Sequence, residues 1–380
     1  MIDKGLSDFL NLARWLAALC VMVSHLRDRL FGAYGELSDP NPLWTAFYFV
    51  TGYGHEAVVV FFVISGFLVG GITWQRWSTQ GPDVPRYMAA RFARVYTVVV
   101  PAIALGLMLD LLGARFFNAS TIYPPPEPFG VETLANVRNT DWITVLGNVF
   151  MLQEIVVETP GTNGVLWSMS YEWWYYVLFG LLGAAAAMPR QRSALGYGVL
   201  GLAVAAFLPP GILMMGLLWM IGVGACQAYR AGWRVPALLA LPAFGAVLVV
   251  LRVLTIKHDF GLSLDLVKKL TLSLSFAALL LVNWRPSGTR ISHLHKVLAD
   301  SSFSLYMTHS PMIVFLAAVA NDTFGLQYHR SGDAVGLLLF VLFTAVVYAY
   351  SFVFWRLFER HHGKVFKWLT SWPRVAGKPA

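Results

Sequence analysis

The stretch ARWLAALCVMVSH, Ala13–His25, is an apolar segment with an arginine near its start and a histidine at its end. It belongs to a longer apolar run, 9–27, which is long enough to cross the hydrocarbon core of a bilayer as a helix. Ionisable side chains inside such helices are rare and usually face a cavity or a partner. Arg14 and His25 therefore predict a membrane helix that carries functional groups.

The composition extends this interpretation to the whole chain. Of the 380 residues, 57% are hydrophobic and 13% are charged, whereas soluble domains have about 25% charged residues. The two cysteines, Cys20 and Cys226, lie within apolar runs, so the sequence offers neither a disulfide framework nor a cysteine-rich metal site. The net charge of +8 reflects basic residues at the ends of apolar segments, which indicates membrane topology and argues against nucleic-acid binding.

Ten segments are apolar enough to be predicted as membrane-spanning helices of about 20 residues. They are 9–27, 57–74, 94–112, 165–187, 193–208, 212–229, 235–254, 263–283, 297–319 and 334–357. We therefore expect an all-α transmembrane helix bundle of about ten helices that forms a single domain, 1–380. Two long connections, 28–56 and 113–164, follow the first and third helices, and the second includes an amphipathic stretch, Asp141–Ile155.

The distribution of basic residues predicts the orientation of this bundle. With both termini on one side, about two thirds of the 28 Lys and Arg residues fall on that side. Cytoplasmic loops carry the excess of positive charge. Both termini are therefore predicted to face the cytoplasm.

Several further segments combine apolar residues with polar ones. In HEAVVVFFVISGFLVGG, 55–71, the small residues Ser65, Gly66, Gly70 and Gly71 predict close approach to a neighbouring helix. In RYMAARFARVYTVVVP, 86–101, Arg91 and Arg94 share a helix face. They could clamp phosphates or anchor the helix at the cytoplasmic surface.

Two other segments place ionisable residues among aromatic and apolar ones. LWSMSYEWWYYVLFGLL, 166–182, contains Glu172 near the predicted outer end of its helix, and an aromatic belt explains the rings but not the glutamate. SSFSLYMTHSPMI, 301–313, contains His309 just before Pro311. For Arg14 and His25 themselves, the alternative is that they are ordinary residues at the two membrane interfaces.

Six features occur in a fixed order along the chain. They are the Arg14 and His25 pair, FFVISGFL (61–68), the Arg91 and Arg94 pair, WSMSYEWWYYVLF (167–179), SLYMTHSPMI (304–313) and WRLFERHHGKVFKWL (355–369). Together they resemble the membrane-bound acyltransferase-3 family over nearly the whole chain. The resemblance implies a multi-pass enzyme of the bacterial inner membrane. Such an enzyme moves an acyl group, usually acetyl from acetyl-CoA, to a hydroxyl of a cell-surface or exopolysaccharide sugar or its lipid-linked precursor.

The resemblance carries over functional roles to four residues: Arg14, His25, Arg91 and Arg94. The three arginines are expected to bind the phosphates of coenzyme A at the cytoplasmic side, and His25 to act as general base on the acceptor hydroxyl. Arg14 and His25 are separated by roughly 16 Å along a helix, which a pantetheine arm can bridge. Glu172 is a second catalytic candidate, because it could orient the imidazole or bind the acceptor.

The remaining expectations concern the acceptor and other partners. The predicted acceptor-binding residues are Trp167, Tyr171, Trp173 and His309. The expected partners are an acyl-CoA donor, a glycan or lipid-linked sugar acceptor and membrane lipids, with no metal and no nucleic acid. The sequence leaves open a homo-oligomer, the identity of the acceptor and acyl group, and an acetyl-histidine intermediate in place of direct transfer.

The competing interpretation is a transporter or flippase, in which buried Arg, His and Glu side chains would line a substrate path. The chain has no internal repeat of the kind that many transporters show, and the six family features argue for the enzyme. A membrane scaffold or sensor would leave Arg14 and His25 without a role.

Overall fold

Helices form the regular structure of the described chain. The computed structural model describes residues 2–37, 41–117, 122–123, 139–188, 190–257, 262–327, 330 and 332–371, and within these residues there is no β-strand. The α-helices are α1 (Lys4–Leu30), α2 (Pro42–Val50), α3 (Gly54–Ser65), α4 (Ile72–Gln80), α5 (Val84–Phe116), α6 (Trp142–Val149), α7 (Trp167–Leu178), α8 (Ala184–Ala187), α9 (Arg192–Phe207), α10 (Pro210–Arg230), α11 (Ala237–Lys257), α12 (Leu262–Leu280), α13 (Thr289–Asp300), α14 (Ser302–Phe324), α15 (Ala334–Leu357) and α16 (His362–Ser371). Shorter turns of π-helix, Gly66–Gly71 and Phe179–Gly183, and of 3₁₀-helix, Tyr34–Glu36, Gly164–Leu166 and Glu359–His361, join some of them.

Seven helical segments of the described chain are long and apolar enough to cross a membrane. They are Lys4–Leu30, Pro42–Gln80, Val84–Phe116, Pro210–Arg230, Ala237–Leu254, Ser302–Phe324 and Ala334–Ser371. The other three predicted spans, 165–187, 193–208 and 263–283, are also largely helical. The prediction of an all-α membrane bundle is confirmed. The number of ten crossings and the cytoplasmic position of the termini stay predictions.

Two predicted spans do not coincide with single helices of the structure. The third helix begins at Val84 and not at 94, since the Asp83 side chain accepts a hydrogen bond from the Arg86 N–H and caps it. The predicted span 297–319 is divided at Ser301 into α13 and α14. α13 carries the polar pattern of an interfacial helix, and the continuous apolar pattern starts only with α14.

The amphipathic stretch Asp141–Ile155 is helical only in its first half. Asp141 accepts hydrogen bonds from the N–H groups of Ile143 and Thr144 and starts α6. The chain leaves the helix at Phe150, and positive φ angles at Met151 and Glu154 then turn it back on itself. Residues 124–138 of the same connection lie outside the described residues.

Close helix packing brings the sequence motifs together. α1 packs against α3, α13, α14 and α15. The π-helical turn after α3 packs against α10, where a Cβ on Gly66 would lie 1.9 Å from the Trp219 carbonyl oxygen. The expectation that small residues at 65–66 allow close approach is therefore confirmed. In this contact the Trp219 indole N–H donates to Ser65 Oγ at 3.1 Å.

Candidate active site

Two adjoining cavities lie along α1. The first, of about 790 Å³, contains Arg14, Arg91 and Arg94, and we call it the arginine cavity. The second, of about 470 Å³, contains His25, and we call it the histidine cavity. Val58 of α3 and Tyr306 of α14 line both cavities. Arg14 and His25 therefore line two neighbouring cavities, with Val58 and Tyr306 in the wall between them.

The arginine cavity is basic on balance. Its charged lining residues are Arg14, Arg91, Arg94, Lys296 and Arg360 against Glu172, Asp300 and Glu359. They come from helices that are distant in sequence and from the turn before α16. Helix α16 packs against α5. The structure thus brings the three predicted phosphate-binding arginines to one chamber. An excess of cations in a partly enclosed site favours a polyanionic ligand.

Arg91 is available for such a ligand. Its guanidinium carbon lies 5.9 Å from the ring centre of Tyr87 and 5.8 Å from that of Tyr176, so the side chain is held between two aromatic faces. Its Nε is buried without a hydrogen-bond partner among the described residues. A buried donor without a partner is costly, and a phosphate oxygen would satisfy it.

Arg94 already has a partner that the sequence did not indicate. Its guanidinium lies 2.7 Å from Glu359, whose side chain is 1% exposed. Glu359 also accepts hydrogen bonds from the Ser304 N–H at 3.0 Å and the Ser304 hydroxyl at 2.6 Å. The ion pair joins α5 to the turn before α16 at the cavity wall, and the two hydrogen bonds from Ser304 join α14 to the same turn. The only sequence signal was a single acidic residue in the basic stretch ERHHGK.

Glu172 does not lie beside His25. Its carboxylate lines the arginine cavity and accepts a hydrogen bond from the Tyr176 hydroxyl, one helical turn along α7. Tyr176 in turn lies 3.1 Å from Ser65 Oγ. This placement argues against the alternative that Glu172 orients the imidazole, because this face of α7 points toward the arginines. The other alternative, that Glu172 binds the acceptor, stays a prediction.

His309 holds His25 instead. The His309 Nε2 and His25 Nδ1 atoms are 3.0 Å apart. On the other side of its ring, His309 Nδ1 lies 3.0 Å from the Leu305 carbonyl oxygen and 2.8 Å from that of Tyr306. Carbonyl oxygens only accept, so in the neutral ring Nδ1 carries the hydrogen and Nε2 accepts. His25 Nδ1–H is therefore the donor to His309, and His25 Nε2 keeps its lone pair.

This geometry corrects the predicted role of His309. The residue is fully buried, with 0% exposure, and it is not part of the histidine cavity lining. It lies behind His25, where it fixes the ring orientation and the tautomer. The sequence predicted acceptor binding for His309 because it does not show which helix α14 packs against.

The three aromatic residues predicted to bind the acceptor lie in different places. Trp167 lines the histidine cavity. Tyr171 packs edge-on against Trp167, with ring centres 5.1 Å apart, and Trp173 packs edge-on against Tyr96 at 5.2 Å. Neither Tyr171 nor Trp173 lines one of the two cavities. The placement of Tyr171 and Trp173 indicates a role in helix packing. Of the three aromatic residues, only Trp167 lines a cavity in which it could contact an acceptor.

Comparison with known proteins shows the family of the chain. Residues 7–356 match a family model described as "Acyltransferase domain". The chain is 24% identical over 381 residues to "Acyltransferase MdmB" of Streptomyces mycarofaciens, covering 88% of this chain and 86% of that protein. It is 25% identical over 186 residues to "O-acetyl transferase" of Shigella phage Sf6, covering 46% of this chain and 45% of that protein. No solved structure gives a significant match.

The family match decides between the two classes that the sequence left in competition. It spans nearly the whole chain, and both relatives carry names of transferases. A transporter or flippase is therefore not supported. The chain belongs to the acyltransferase-3 family and is an acyltransferase.

Proposed function

We propose that this protein transfers an acetyl group from cytoplasmic acetyl-CoA to a hydroxyl of a cell-surface or exopolysaccharide sugar, or of its lipid-linked precursor. The protein would do so from the inner membrane of a bacterium. The observation that carries the proposal is that the arginine cavity and the histidine cavity are neighbours along α1 and share the lining residues Val58 and Tyr306. A donor with a charged head and a long thin arm would suit a basic cavity that lies beside a cavity lined by a histidine.

The arginine cavity suits the head of coenzyme A. Its phosphates are polyanionic, and Arg14 and Arg91 line the cavity. Arg94 would share its charge between a phosphate and Glu359. The rise of α1 places His25 roughly 16 Å from Arg14. The pantetheine arm would pass Val58 and Tyr306 and present the thioester in the histidine cavity.

The histidine pair supplies the base for direct transfer. His25 Nε2 takes the proton of the acceptor hydroxyl while the oxygen attacks the thioester carbonyl. The carbon–sulfur bond then breaks, and the coenzyme A thiolate takes the proton back from the His25 imidazolium. His309 Nε2 accepts the hydrogen bond from His25 Nδ1 and stabilises the imidazolium. An acetyl-histidine route would use the same Nε2 lone pair as nucleophile.

The placement of the two cavities supports the predicted orientation. Arg360 and His362, which follow α15, line the arginine cavity together with Lys296. Asp28, Arg29 and the α3 residue His55 line the histidine cavity. With both termini cytoplasmic, the arginine cavity opens toward the donor and the histidine cavity toward the outer side.

Mass spectrometry of surface glycans tests the proposed function in the native host. Cells with the gene are expected to carry O-acetyl groups that disappear on its deletion. The wild-type gene should restore these groups, and a His25→Ala gene should not. Glycans of identical mass with and without the gene would contradict the proposed acceptor class.

Arg91→Ala is expected to weaken acetyl-CoA binding by about tenfold or more. The reason is the loss of a charge-assisted contact worth roughly 1.5–3 kcal/mol. Isothermal titration of the purified protein with acetyl-CoA measures this change. Arg86→Ala is the matched control, because Arg86 lies on the same helix and is exposed outside the cavity. Equal affinities for the two variants would remove Arg91 from the donor site.

A further inference from the structure

We infer that Asp110 of α5 is a positioning residue for the His25 and His309 pair. It holds the segment 160–164 against α14 and thereby fixes the backbone that carries His309. The inference rests on the proposed role of His25 as the base. Asp110 lines neither cavity, so it would act only through other residues.

Asp110 is a buried carboxylate, and both of its oxygens accept hydrogen bonds from Thr162. It is 1% exposed, although it lies within a membrane-spanning helix. One oxygen accepts from the Thr162 N–H at 2.8 Å and the other from the Thr162 hydroxyl at 2.6 Å. The preceding residue, Gly161, has a φ of 55°, and a Cβ there would lie 2.0 Å from Asp110 Oδ2. The segment is therefore shaped to this carboxylate.

The same segment is tied to α14 on both sides of His309. Pro311 has no N–H, so it cannot donate the helical hydrogen bond to the Met307 carbonyl oxygen. Asn163 Nδ2 donates to that oxygen instead, at 3.1 Å. Ser310 Oγ donates to the carbonyl oxygen of Thr162 at 2.7 Å. Segment 160–164 thus supplies the hydrogen-bond donor that the Met307 carbonyl oxygen lacks because of the proline. It also holds the helical turn that contains His309.

The consequence for the reaction follows from the geometry of the histidine pair. His309 Nε2 must stay within hydrogen-bond distance of His25 Nδ1, which is 3.0 Å here. A displacement of about 1 Å at a reacting group can cost roughly a hundredfold in rate. Loss of the Asp110 contacts would release the segment and allow the turn of α14 to shift. The rate at saturating donor would fall, and binding of acetyl-CoA in the other cavity would not.

Asp8 of α1 offers a matched control. It is 5% exposed and accepts from one backbone N–H, that of Ser287 at 2.9 Å, and one hydroxyl, that of Ser292 at 2.6 Å. Its hydrogen bonds therefore have the same types as the two that Asp110 accepts from Thr162, and similar lengths. It lines neither cavity. Substitution of Asp8 reports the cost of losing a buried carboxylate without an effect on the histidine pair.

The test compares Asp110→Ala, Asp110→Asn and Asp8→Ala in full-length protein. Transfer of the radiolabelled acetyl group from acetyl-CoA to the acceptors of native-host membrane vesicles gives kcat and the KM for acetyl-CoA. We expect Asp110→Ala to lower kcat by about tenfold to a hundredfold with an unchanged KM. Asp110→Asn should restore kcat, because its amide oxygen accepts from Thr162 N–H and its amide N–H donates to the hydroxyl oxygen. Asp8→Ala should lower the melting temperature similarly and keep kcat.

Equal kcat values for Asp110→Ala and Asp8→Ala would overturn the inference. If Asp110→Ala does not fold, Asn163→Ala replaces it, since it removes the donor to Met307; a wild-type kcat in that variant would also overturn the inference. Failure of the proposed function has a different signature, because wild-type protein would then transfer no acetyl or His25→Ala would transfer as well as wild type.

Discussion

Acetyl transfer is expected to be lost in His25→Ala, while acetyl-CoA binding persists. Without the imidazole no base takes the proton of the acceptor hydroxyl, and general-base catalysis is typically worth about 10²–10⁴-fold in rate. The donor phosphates are proposed to bind in the arginine cavity, to which His25 does not belong. The rate of radiolabel transfer and a calorimetric titration with acetyl-CoA measure the two quantities separately.

The control for this substitution is His293→Ala. His293 is an exposed histidine of α13 and lines neither cavity, so its loss should change neither transfer nor binding. Transfer by His25→Ala at the wild-type rate would exclude both the general-base route and the acetyl-histidine route. Loss of acetyl-CoA binding in His25→Ala would instead contradict the separation of the two cavities.

The second large effect is expected for His309→Leu, which should lower kcat by about a hundredfold. Leucine removes the acceptor for His25 Nδ1–H. The buried N–H then has no partner, and the imidazole can rotate or adopt the other tautomer. The KM for acetyl-CoA should not change, because His309 does not line the arginine cavity.

His309→Gln separates this orienting role from simple packing. The glutamine Oε1 can occupy the position of Nε2 and accept from His25 Nδ1–H, so this variant should keep most of the wild-type kcat. Steady-state kinetics of both variants provide the comparison. A leucine variant as active as the glutamine variant would mean that the hydrogen bond between the two histidines does not contribute to transfer.

The fold class and the position of Arg14 relative to His25 could be predicted because both depend on local sequence. Long apolar runs with little charge have no stable alternative to membrane helices. Within one helix the rise per residue fixes the separation of two side chains along the axis. No knowledge of the other helices was needed for either prediction.

The partners of the site residues could not be predicted, because they depend on which helix faces overlap. WSMSYEWWYYVLF is aromatic on every face, so the sequence did not indicate that Glu172 turns toward the arginines. His309 meets His25, and Glu359 meets Arg94, only through contacts between segments far apart in the chain. Asp110 could have been singled out, because it is an ionisable residue inside the predicted span 94–112. Its partner, Thr162, could not, because it lies in an irregular loop.

The central claim is that acetyl-CoA enters the arginine cavity from the cytoplasm and that its acetyl group leaves through the histidine cavity. Radiolabelled acetyl-CoA added to sealed membrane vesicles of the native host tests this claim most directly, since the donor does not cross the bilayer. Inside-out vesicles with the wild-type protein are expected to incorporate label into glycan or lipid-linked sugar. Right-side-out vesicles, and inside-out vesicles with His25→Ala, should incorporate no more label than vesicles without the gene. Equal incorporation by right-side-out vesicles would contradict the account.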